Sequence, residues 1–554
     1  MAAKKQNHKY IFVVGGVMSG VGKGIATASI GKILQGRGFA VSPVKIDPYV
    51  NVDAGTMNPT EHGEVFVLND GWECDQDLGN YERFLDQDLT KLNTLTTGSI
   101  YLSVIQNERN LRYGGRCVEV VPHIPLAVID QIDAAAKQQK AEISLIEIGG
   151  TVGEYQNVLF LEAVRMLKLR DPRNVVLALV SYLPYQGKDG ELKTKPTQHA
   201  VRTLNAAGLQ PDIIIARGAM SLDDKRKEKI AFNCNVSPEC VISAPDIESI
   251  YDVPINFEKD SISNILCKRL DIKPRKRDLV EWRTFVEKTQ KIKSGIKIGI
   301  IGKYFATGQF QLADSYISVI EAIKHAAYSL NKKAQIEWLN ADDYDSASNP
   351  DWQKNLAKLK SYSGVVVPGG FGNRGVEGKI SAIRFCRENK IPYFGLCYGM
   401  QLAVVEFARS RCDLAEANTA EVNPKSPHCV IDIMPEQKEL MRQKQYGATM
   451  RLGNQEAHIT KKTHAYEAYK NEQIFERHRH RYEVNPLYIK QLTETGLVFS
   501  GTSPDGVLME IMELPKSVHP FFVGTQFHPE LKSRPLRPHP LFVSFIKAAI
   551  KKTS

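Results

Sequence analysis

The stretch that decides the fold is YIFVVGGVMSGVGKG, residues 10–24. It opens with an apolar run suited to a buried strand and continues in a glycine-rich loop that ends at Lys23. Ile30 and Leu34 then recur at helical spacing, and a second apolar run follows at residues 41–46. Because a strand, a helix and a strand in this order form a parallel unit, the sequence predicts an α/β fold.

The length of the chain indicates more than one such unit, since 554 residues are several times the usual size of a single core. The first series of apolar runs ends near residue 270, and residues 271–295 read as a linker with a short helix. We therefore expect domains at residues 1–270 and 296–554. The strand candidates are residues 11–14, 41–46, 143–148, 175–180 and 212–216, followed by 296–301, 335–339, 364–367, 391–396, 507–512 and 521–526.

The composition predicts a globular protein of a reducing compartment. Hydrophobic residues make up 43% of the chain and charged residues 24%, which is ordinary for soluble cores. The nine cysteines lack CxxC pairing, so we expect neither a disulfide framework nor a zinc site. No signal peptide is evident, and the early apolar stretch at residues 10–21 is too short to span a bilayer. The expected location is the cytoplasm, with no membrane partner.

The net charge of +10 raises the question of nucleic-acid binding. Much of this charge lies among glycine-rich loops rather than in one stripe, so polyphosphate substrates explain it better. The clearest basic run, residues 273–277, is expected to be a solvated part of the linker. We therefore predict no nucleic-acid partner.

The glycine-rich loop of residues 15–24 has the setting of a phosphate site. It joins a strand to a helix N-terminus, where backbone N–H groups and the helix dipole hold phosphate oxygens, and Lys23 would reach the outer phosphates. The spacing from Gly16 to Gly22 is one residue longer than in GxxxxGK, and Gly24 replaces the hydroxyl residue that usually holds magnesium. The alternative is a turn that only packs a helix on a strand.

Without that hydroxyl, Mg²⁺ needs other oxygen ligands, and carboxylates at strand ends are the candidates. Asp77 lies in DQDLG, residues 75–79, and Glu147 lies in the apolar run LIEIGG, residues 145–150. An unpaired charge in such a run would cost several kcal/mol, so Glu147 needs a metal or a lysine as partner. For Asp77, a turn or capping role is an equal alternative.

A second candidate site is a thiol between a strand and a helix. The run PYFGLCYGMQ, residues 392–401, places Cys397 in a G-x-C-x-G turn that exposes the sulfur at a helix N-terminus. Downstream, His528 and Glu530 end another apolar run, so the three residues can serve as nucleophile, base and orienting acid. Backbone N–H groups near Gly370 and of Tyr398 could form an oxyanion hole. The alternative is a buried core cysteine and an ordinary loop histidine.

The run ERHRHRY, residues 476–482, allows a metal site at His478 and His480. No cysteine or acidic partner stands at suitable spacing, so we favour a role for Arg481 in gripping a substrate carboxylate.

Together these motifs resemble the synthetase domain of the CTP synthase family in the first half and class I glutamine amidotransferases in the second. The most specific segments are KTKPTQH at residues 193–199, KIDPY at 45–49 and NPTEHGEV at 58–65. The resemblance runs nearly end to end. It implies a P-loop-like parallel-sheet synthetase domain followed by a flavodoxin-like glutaminase domain.

The resemblance also implies roles for individual residues, carried over by matching positions. The ATP positions are Ser19, Gly20, Val21, Gly22, Lys23, Gly24, Lys45 and Asp77, and the magnesium positions are Asp77 and Glu147. The UTP and CTP positions are Ser19, Glu154, Gln156, Lys193, Lys195, Gln198 and Lys229. The glutamine positions are Gly370, Tyr398, Gln401, Glu421 and Arg481, and His62 matches the mouth of an ammonia tunnel.

The implied reaction aminates UTP to CTP with ATP, Mg²⁺ and ammonia released from glutamine. The family implies a homotetramer, GTP as activator and CTP as feedback inhibitor, and residues 447–451 are a guess for GTP contact. Three departures stand out: Tyr398 replaces the usual leucine, residues 305–311 look inserted, and EYQN at residues 154–157 replaces the usual Asp-Ile-Glu. Competing interpretations are another ATP-dependent amidoligase and a filament-forming protein without turnover.

Overall fold

The computed structural model describes residues 8–16, 18–186, 191–275, 279–302, 306–307, 310–311, 313–370, 372–434, 437 and 449–553. The chain forms two compact units. The first contains residues 1–53 and 77–287, and the second contains residues 54–76 and 288–554. The sequence-based division at residues 270 and 296 differs from this in two respects, because the first unit continues to residue 287 and residues 54–76 group with the second unit. Arg479 binds this segment there, its Nε donating to Glu73 Oε1 at 2.8 Å.

The first unit is built on one parallel sheet of seven strands. Their order across the sheet is Val241–Pro245, Ile213–Gly218, Val175–Tyr182, Lys9–Gly16, Ile143–Ile148, Val41–Asp47 and Thr94–Thr96. The five predicted strands form the centre of this sheet. The two edge strands were not predicted, because a three-residue strand and one that ends in proline show too little apolar periodicity.

Helices cover both faces of this sheet, as a parallel sheet requires. Phe12 belongs to the core on one face and Val13 to the core on the other, so the central strand is buried on both faces. The main helices are Lys23–Gly36, Asp77–Leu85, Thr97–Arg109, Val120–Gln138, Val158–Arg170, Lys195–Ala206, Asp224–Cys234, Val253–Lys259 and Ile262–Arg269.

The predicted linker contains a docked helix. Helix Val280–Lys291 buries Trp282, whose Nε1 donates a hydrogen bond to the Tyr251 carbonyl at 2.9 Å. The Trp282 ring also lies 5.2 Å from the Phe84 ring, between centroids. The first unit therefore extends past the boundary that was predicted at residue 270.

The second unit has a mixed sheet of nine strands. Five parallel strands are followed by antiparallel pairing, in the order Lys333–Asn340, Gly295–Gly302, Gly364–Val367, Tyr393–Leu396, Phe522–Thr525, Met509–Glu513, Val498–Thr502, Arg451–Ile459 and Gln473–His480. All six strands predicted for this half lie in the sheet. Of the three others, Arg451–Ile459 and Gln473–His480 were missed because charged residues interrupt their apolar pattern, and Val498–Thr502 because only its first two residues are large and apolar.

The helices of the second unit flank this sheet. They are Pro59–His62, Ile317–Ser329, Trp352–Lys358, Val376–Glu388, Tyr398–Arg411, His464–Tyr469, Pro486–Glu494 and Pro540–Thr553. Of the segment that looked inserted, two short strands are described, Ala306–Thr307 and Phe310–Gln311, and its other residues lie outside the described part. Across the described residues, no helix combines the length and apolar character needed to cross a membrane.

Candidate active sites

The glycine-rich loop ends where helix Lys23–Gly36 begins. Gly22 caps this helix with φ +84, a left-handed conformation that favours glycine. Lys23 is 9% exposed, and its Nζ donates a hydrogen bond to the Gly150 carbonyl at 2.8 Å. Burial lowers the pKa of Lys23, although Glu147 opposes this. Lys23 is thus held where the loop ends and the helix begins, and the N-terminus of the helix favours an anion there.

Three carboxylates, two of them buried and Asp77 partly buried, surround Lys45 in the same unit. Its Nζ lies 2.9 Å from Glu147 Oε1, contacts Asp77 Oδ2, and lies 3.7 Å from Asp47 Oδ1. The other Glu147 oxygen accepts a hydrogen bond from the Tyr81 hydroxyl. Glu147 therefore has the lysine partner that its apolar surroundings demand.

The pKa values of these acids are shifted in different directions. Burial raises the pKa of Glu147, and burial with the nearby carboxylates of Asp77 and Glu147 raises the pKa of Asp47 to about 6 against the pull of Lys45. Burial also disfavours the ionised form of Asp77, but Lys45 outweighs it and lowers the pKa of Asp77. Asp77 is thus the carboxylate that Lys45 holds most firmly in its charged form.

Gly24 and Asp77 share one space. An added Cβ atom at Gly24 would lie 2.1 Å from Asp77 Oδ1, so any side chain there would have to displace Asp77. Asp77 therefore occupies the place of the hydroxyl side chain that the loop lacks. Asp77 and Glu147 supply the oxygen donors that Mg²⁺ prefers, and Mg²⁺ usually binds one or two carboxylates with phosphates and water completing its shell. That fits the finding that no cluster of three or more metal-binding side chains occurs among the described residues.

A cavity beside Gly22 was not predicted. It is lined by apolar side chains and by three polar residues, Arg217, Asp246 and Asn256. Arg217 lies near the end of strand Ile213–Gly218, and Asp246 directly follows strand Val241–Pro245. Polar residues at the carboxyl ends of parallel strands are the signal that could have identified this cavity.

Apart from Ser19, which lies in the glycine-rich loop, the candidate UTP and CTP residues fall in three places. An added Cβ atom at Gly150, whose carbonyl binds Lys23, would lie 2.6 Å from Glu154 Oε2. That Glu154 oxygen also accepts a hydrogen bond from Gln156 Nε2 at 2.7 Å. These residues therefore lie close to the phosphate loop.

The remaining candidates lie on two helices or just before one of them. Lys195 is exposed at the start of helix Lys195–Ala206, and Gln198 is buried in its first turn, donating to Thr194 Oγ1 at 3.2 Å. Lys193 precedes this helix and is half-buried. Lys229 is exposed on helix Asp224–Cys234. The structure thus groups Lys193, Lys195 and Gln198 in one short stretch and leaves Lys229 on a separate element.

In the second unit, Cys397 occupies a sharp turn between strand Tyr393–Leu396 and helix Tyr398–Arg411. Its φ of 48° and ψ of −99° are strained for a residue with a side chain, which is the usual state of a nucleophile at such a turn. The backbone nitrogen of Cys397 donates to the Thr525 carbonyl at 2.6 Å. An added Cβ atom at Gly399 would lie 2.1 Å from the Val367 carbonyl oxygen, so the turn requires glycine there.

His528 and Glu530 meet Cys397 at this turn. His528 Nδ1 lies 2.7 Å from Glu530 Oε1. An added Cβ atom at Gly369 would lie 2.9 Å from His528 Cε1 and 3.7 Å from Cys397 Cβ, so that glycine touches both partners. Burial disfavours the charged imidazole, but Glu530 and Cys397 outweigh it and raise the pKa of His528 to about 10. The resting histidine therefore carries a proton at neutral pH.

Cys397, His528 and Gly370 line one cavity, and part of its wall comes from the segment of residues 54–76. Pro59, Glu64 and Val65 are the residues of that segment that line it. His62 ends the short helix Pro59–His62 and is itself exposed.

The candidate glutamine residues make a set of local hydrogen bonds. Gln401 Nε2 donates to the Tyr482 carbonyl at 2.9 Å and to Gln526 Oε1 at 3.2 Å. Gln526, which was not predicted, donates to Cys397 Sγ at 3.6 Å. Gln401 is thus connected to the Cys397 sulfur through one intervening amide.

Two further candidates bind neighbouring groups. Glu421 Oε1 accepts a hydrogen bond from the Gly372 nitrogen at 2.7 Å. Arg481 Nη1 donates to Gln437 Oε1 at 2.8 Å and to Thr449 Oγ1 at 2.9 Å. Of the residues guessed for GTP contact, 447 and 448 lie outside the described part of the chain.

His478 and His480 belong to a buried ionic network. His478 Nε2 lies 2.6 Å from Glu510 Oε2, and Arg451 Nη2 lies 2.7 Å from Glu510 Oε1. His480 Nδ1 lies 3.1 Å from the Tyr482 carbonyl oxygen, and burial lowers the pKa of His480 well below its usual value. Both ring nitrogens of His478 thus have protein partners, and His480 is held through Nδ1.

Comparison with known proteins covers both halves of the chain. Residues 9–272 match the family described as CTP synthase N-terminus, and residues 311–548 match the family described as glutamine amidotransferase class-I. CTP synthase of Caldanaerobacter subterraneus is 49% identical over 543 residues, with 98% of each chain covered. CTP synthase of Methanocaldococcus jannaschii is 47% identical over 544 residues, again with 98% of each chain covered.

Among solved structures, the glutaminase domain of Trypanosoma brucei CTPS with bound acivicin is 36% identical. It covers 46% of this chain and 94% of its own, with a TM-score of 0.42. The full-length similarity to curated CTP synthases joins the phosphate-loop unit and the thiol unit in one protein. The chain belongs to the CTP synthase family.

Proposed function

We propose that this protein aminates UTP to CTP. ATP transfers its terminal phosphoryl group to O4 of UTP, ammonia released from glutamine attacks C4, and phosphate leaves with the oxygen. ADP, phosphate, CTP and glutamate are the products. The observation that carries this proposal is that this one chain of the family contains two sites. One is the buried pair of Lys45 and Glu147, and the other is formed by Cys397, His528 and Glu530.

The first unit would act as the synthetase and transfer the phosphoryl group. The loop at Ser19, Gly20, Val21, Gly22, Lys23 and Gly24 would hold the ATP phosphates, with Lys23 and Lys45 stabilising the negative charge that develops. The cavity with Arg217 and Asp246 is suited to the base of the nucleotide. Asp77 and Glu147 would hold Mg²⁺, which supplies charge neutralisation on the phosphate oxygens.

UTP would bind through Ser19, Lys193, Lys195, Gln198 and Lys229. Lysines near a nucleotide give charge-assisted hydrogen bonds to its phosphates, and Gln198 can contact a polar edge of the base or ribose. Glu154 and Gln156 would contact the product CTP, which we propose as a feedback inhibitor.

The second unit would release ammonia from glutamine. The Cys397 sulfur attacks the amide carbon as a thiolate, its proton being the one that His528 carries, and the resulting oxyanion accepts hydrogen bonds from the backbone nitrogens near Gly370 and Tyr398. The protonated His528, oriented by Glu530, gives its proton to the departing nitrogen. Water then cleaves the thioester to glutamate, with His528 accepting a proton from it. Gln401, Glu421 and Arg481 would hold the substrate.

Ammonia would leave along the segment that carries His62. The support is that Pro59, Glu64 and Val65 of this segment line the cavity of Cys397. Such enclosure keeps ammonia from protonation and dilution in solvent. We further propose a homotetramer in the cytoplasm, with GTP activating glutamine hydrolysis.

The test is to incubate the pure protein with ATP, Mg²⁺ and UTP, with glutamine or an ammonium salt as nitrogen source. CTP is measured by chromatography. We expect CTP with either source and none without ATP. Consumption of ATP and glutamine that does not depend on UTP would favour another amidoligase, and no turnover at all would favour the filament-forming alternative.

A further inference from the structure

The side chain of Tyr398 connects two parts of the thiol site. Tyr398 directly follows Cys397, opens helix Tyr398–Arg411 and is 1% exposed. Its hydroxyl donates a hydrogen bond to the Gly372 carbonyl, with an O···O distance of 3.2 Å. Gly372 lies shortly after strand Gly364–Val367, two residues beyond Gly370, which lines the cavity of Cys397. One phenol thus joins the nucleophile helix to the stretch that carries the expected oxyanion donor.

Gly372 continues the connection to Glu421. Its nitrogen donates to Glu421 Oε1 at 2.7 Å, while its carbonyl accepts from Tyr398. Gly372 has φ +80, a left-handed conformation that favours glycine. The two hydrogen bonds therefore fix the nitrogen and the carbonyl of Gly372, whose backbone would otherwise have the wide conformational freedom of a glycine.

A buried cation holds the ring of Tyr398. Lys379 Nζ lies 5.4 Å from the centroid of that ring, and Lys379 is fully buried on helix Val376–Glu388. A lysine over an aromatic face attracts it, more strongly when both are removed from water. The ring is thereby held in the position from which its hydroxyl reaches Gly372.

We propose that the Tyr398 hydroxyl is a positioning group for glutamine hydrolysis. It keeps Gly370 and Gly372 in fixed positions relative to Cys397, so that the oxyanion donor and Glu421 are in place before glutamine binds. This deepens the proposed function and rests on it. Donors that are fixed before the reaction stabilise a developing charge better than donors that must reorganise.

The test compares Tyr398→Phe with Tyr393→Phe. Tyr393 is also buried, and its hydroxyl donates to the Gly399 carbonyl at 2.9 Å, so the control loses the same kind of hydrogen bond without affecting Gly372. Losing one hydrogen bond should lower kcat/KM for glutamine hydrolysis roughly 2- to 10-fold in Tyr398→Phe. The control should change by less than the test variant.

A second readout separates positioning from general loosening. Cys397 is labelled with a diazoketone analogue of glutamine, which needs the glutamine pocket, and separately with iodoacetamide, which needs only the thiol. Mass spectrometry follows the labelling of Cys397. We expect Tyr398→Phe to slow the diazoketone roughly 2- to 10-fold and to leave the iodoacetamide rate unchanged.

The proposal is overturned if both reagents slow equally, if neither slows, or if Tyr393→Phe gives the same defect. CTP formation from an ammonium salt should stay at the unmodified rate in Tyr398→Phe. If the unmodified protein made no CTP, the proposed function would fail, while the labelling comparison would still decide the role of the hydroxyl.

Discussion

Asp77 Oδ1 lies where a side chain at Gly24 would begin, 2.1 Å from the position of an added Cβ atom. The glycine after Lys23 is therefore a requirement of the carboxylate and not a weakened form of a familiar loop. A carboxylate on helix Asp77–Leu85, far along the sequence, thus occupies the space that a side chain at position 24 would need.

We predict that Gly24→Ala lowers CTP formation at least about tenfold with either glutamine or ammonium salt. The added methyl group must displace Asp77 from Lys45, and separating a buried ion pair costs about 3–5 kcal/mol. Glutamine hydrolysis, measured without ATP, should change little. A near-normal rate with ammonium salt would contradict the inference that a side chain at position 24 displaces Asp77. Gly24→Ser should not restore activity, because serine has the same Cβ atom as alanine.

We predict that Lys23→Ala and Glu147→Ala each abolish CTP formation from both nitrogen sources. Each change removes charge from the phosphoryl-transfer site, whatever supplies the ammonia. The matched control is Lys168→Ala, since Lys168 pairs with Asp212 in the same unit but away from the loop. Retained ammonia-dependent synthesis in either variant would remove that residue from the ATP site.

We predict that Cys397→Ala abolishes glutamine-dependent CTP formation and spares formation from an ammonium salt. The thiol acts only in releasing ammonia, so the synthetase chemistry does not need it. Cys429→Ala, a half-buried cysteine of the same unit, is the control and should keep both activities. Loss of both activities in a folded Cys397→Ala protein would contradict the two-site proposal.

We predict an alkaline limit to glutamine hydrolysis near pH 10. The pKa of His528 is raised to about 10, so the protonated form that delivers a proton to the departing amide nitrogen is present at neutral pH and is lost as pH rises through that value. The stability that its partners give follows the same sign: it is complete below the ordinary pKa of about 6.5 and disappears near pH 10. Removing the carboxylate in Glu530→Gln should move the limit to lower pH. Identical pH profiles of kcat/KM for both proteins would contradict this assignment.

We predict that Gln156→Glu increases sensitivity to CTP by roughly one order of magnitude. A carboxylate accepts a hydrogen bond from a ligand more strongly than an amide, by about 1.4 kcal/mol, which is a factor of ten. At present Gln156 donates to Glu154, and the new carboxylate would repel that residue and turn outward. CTP inhibition curves at fixed UTP give the measurement. Equal or weaker inhibition of the variant would reject a role for this position in feedback.

The fold was predictable wherever strands are apolar on both faces. Strands Ile143–Ile148 and Gly364–Val367 have the bounds that the apolar runs predicted. Strand Gln473–His480 was not predicted, because several of its buried positions carry Glu476, Arg477 and His478 rather than apolar residues. Such charges are stabilised by partners far along the chain, which periodicity cannot reveal.

The candidate sites were predictable where local sequence carries the signal. Glycine spacing around Cys397 and the carboxylate in an apolar run at Glu147 are readable without coordinates. Arg217 and Gln526 were missed because only the folded sheet brings them to a cavity or a thiol. The grouping of residues 54–76 with the second unit could not be predicted for the same reason. These residues lie in the first half of the chain, and only the fold brings them to their partners.

The contact between Glu73 and Arg479 can form only late in the synthesis of the chain. The two residues are 406 positions apart. At about 5–20 residues per second, residues 54–76 emerge roughly 20–80 s before the strand that will hold them. Until then Phe66 and Val67, which are buried in the finished protein, remain exposed on the nascent chain. Rapid overproduction should therefore favour aggregates joined through this segment, and a chaperone that shields it should raise the yield of folded protein.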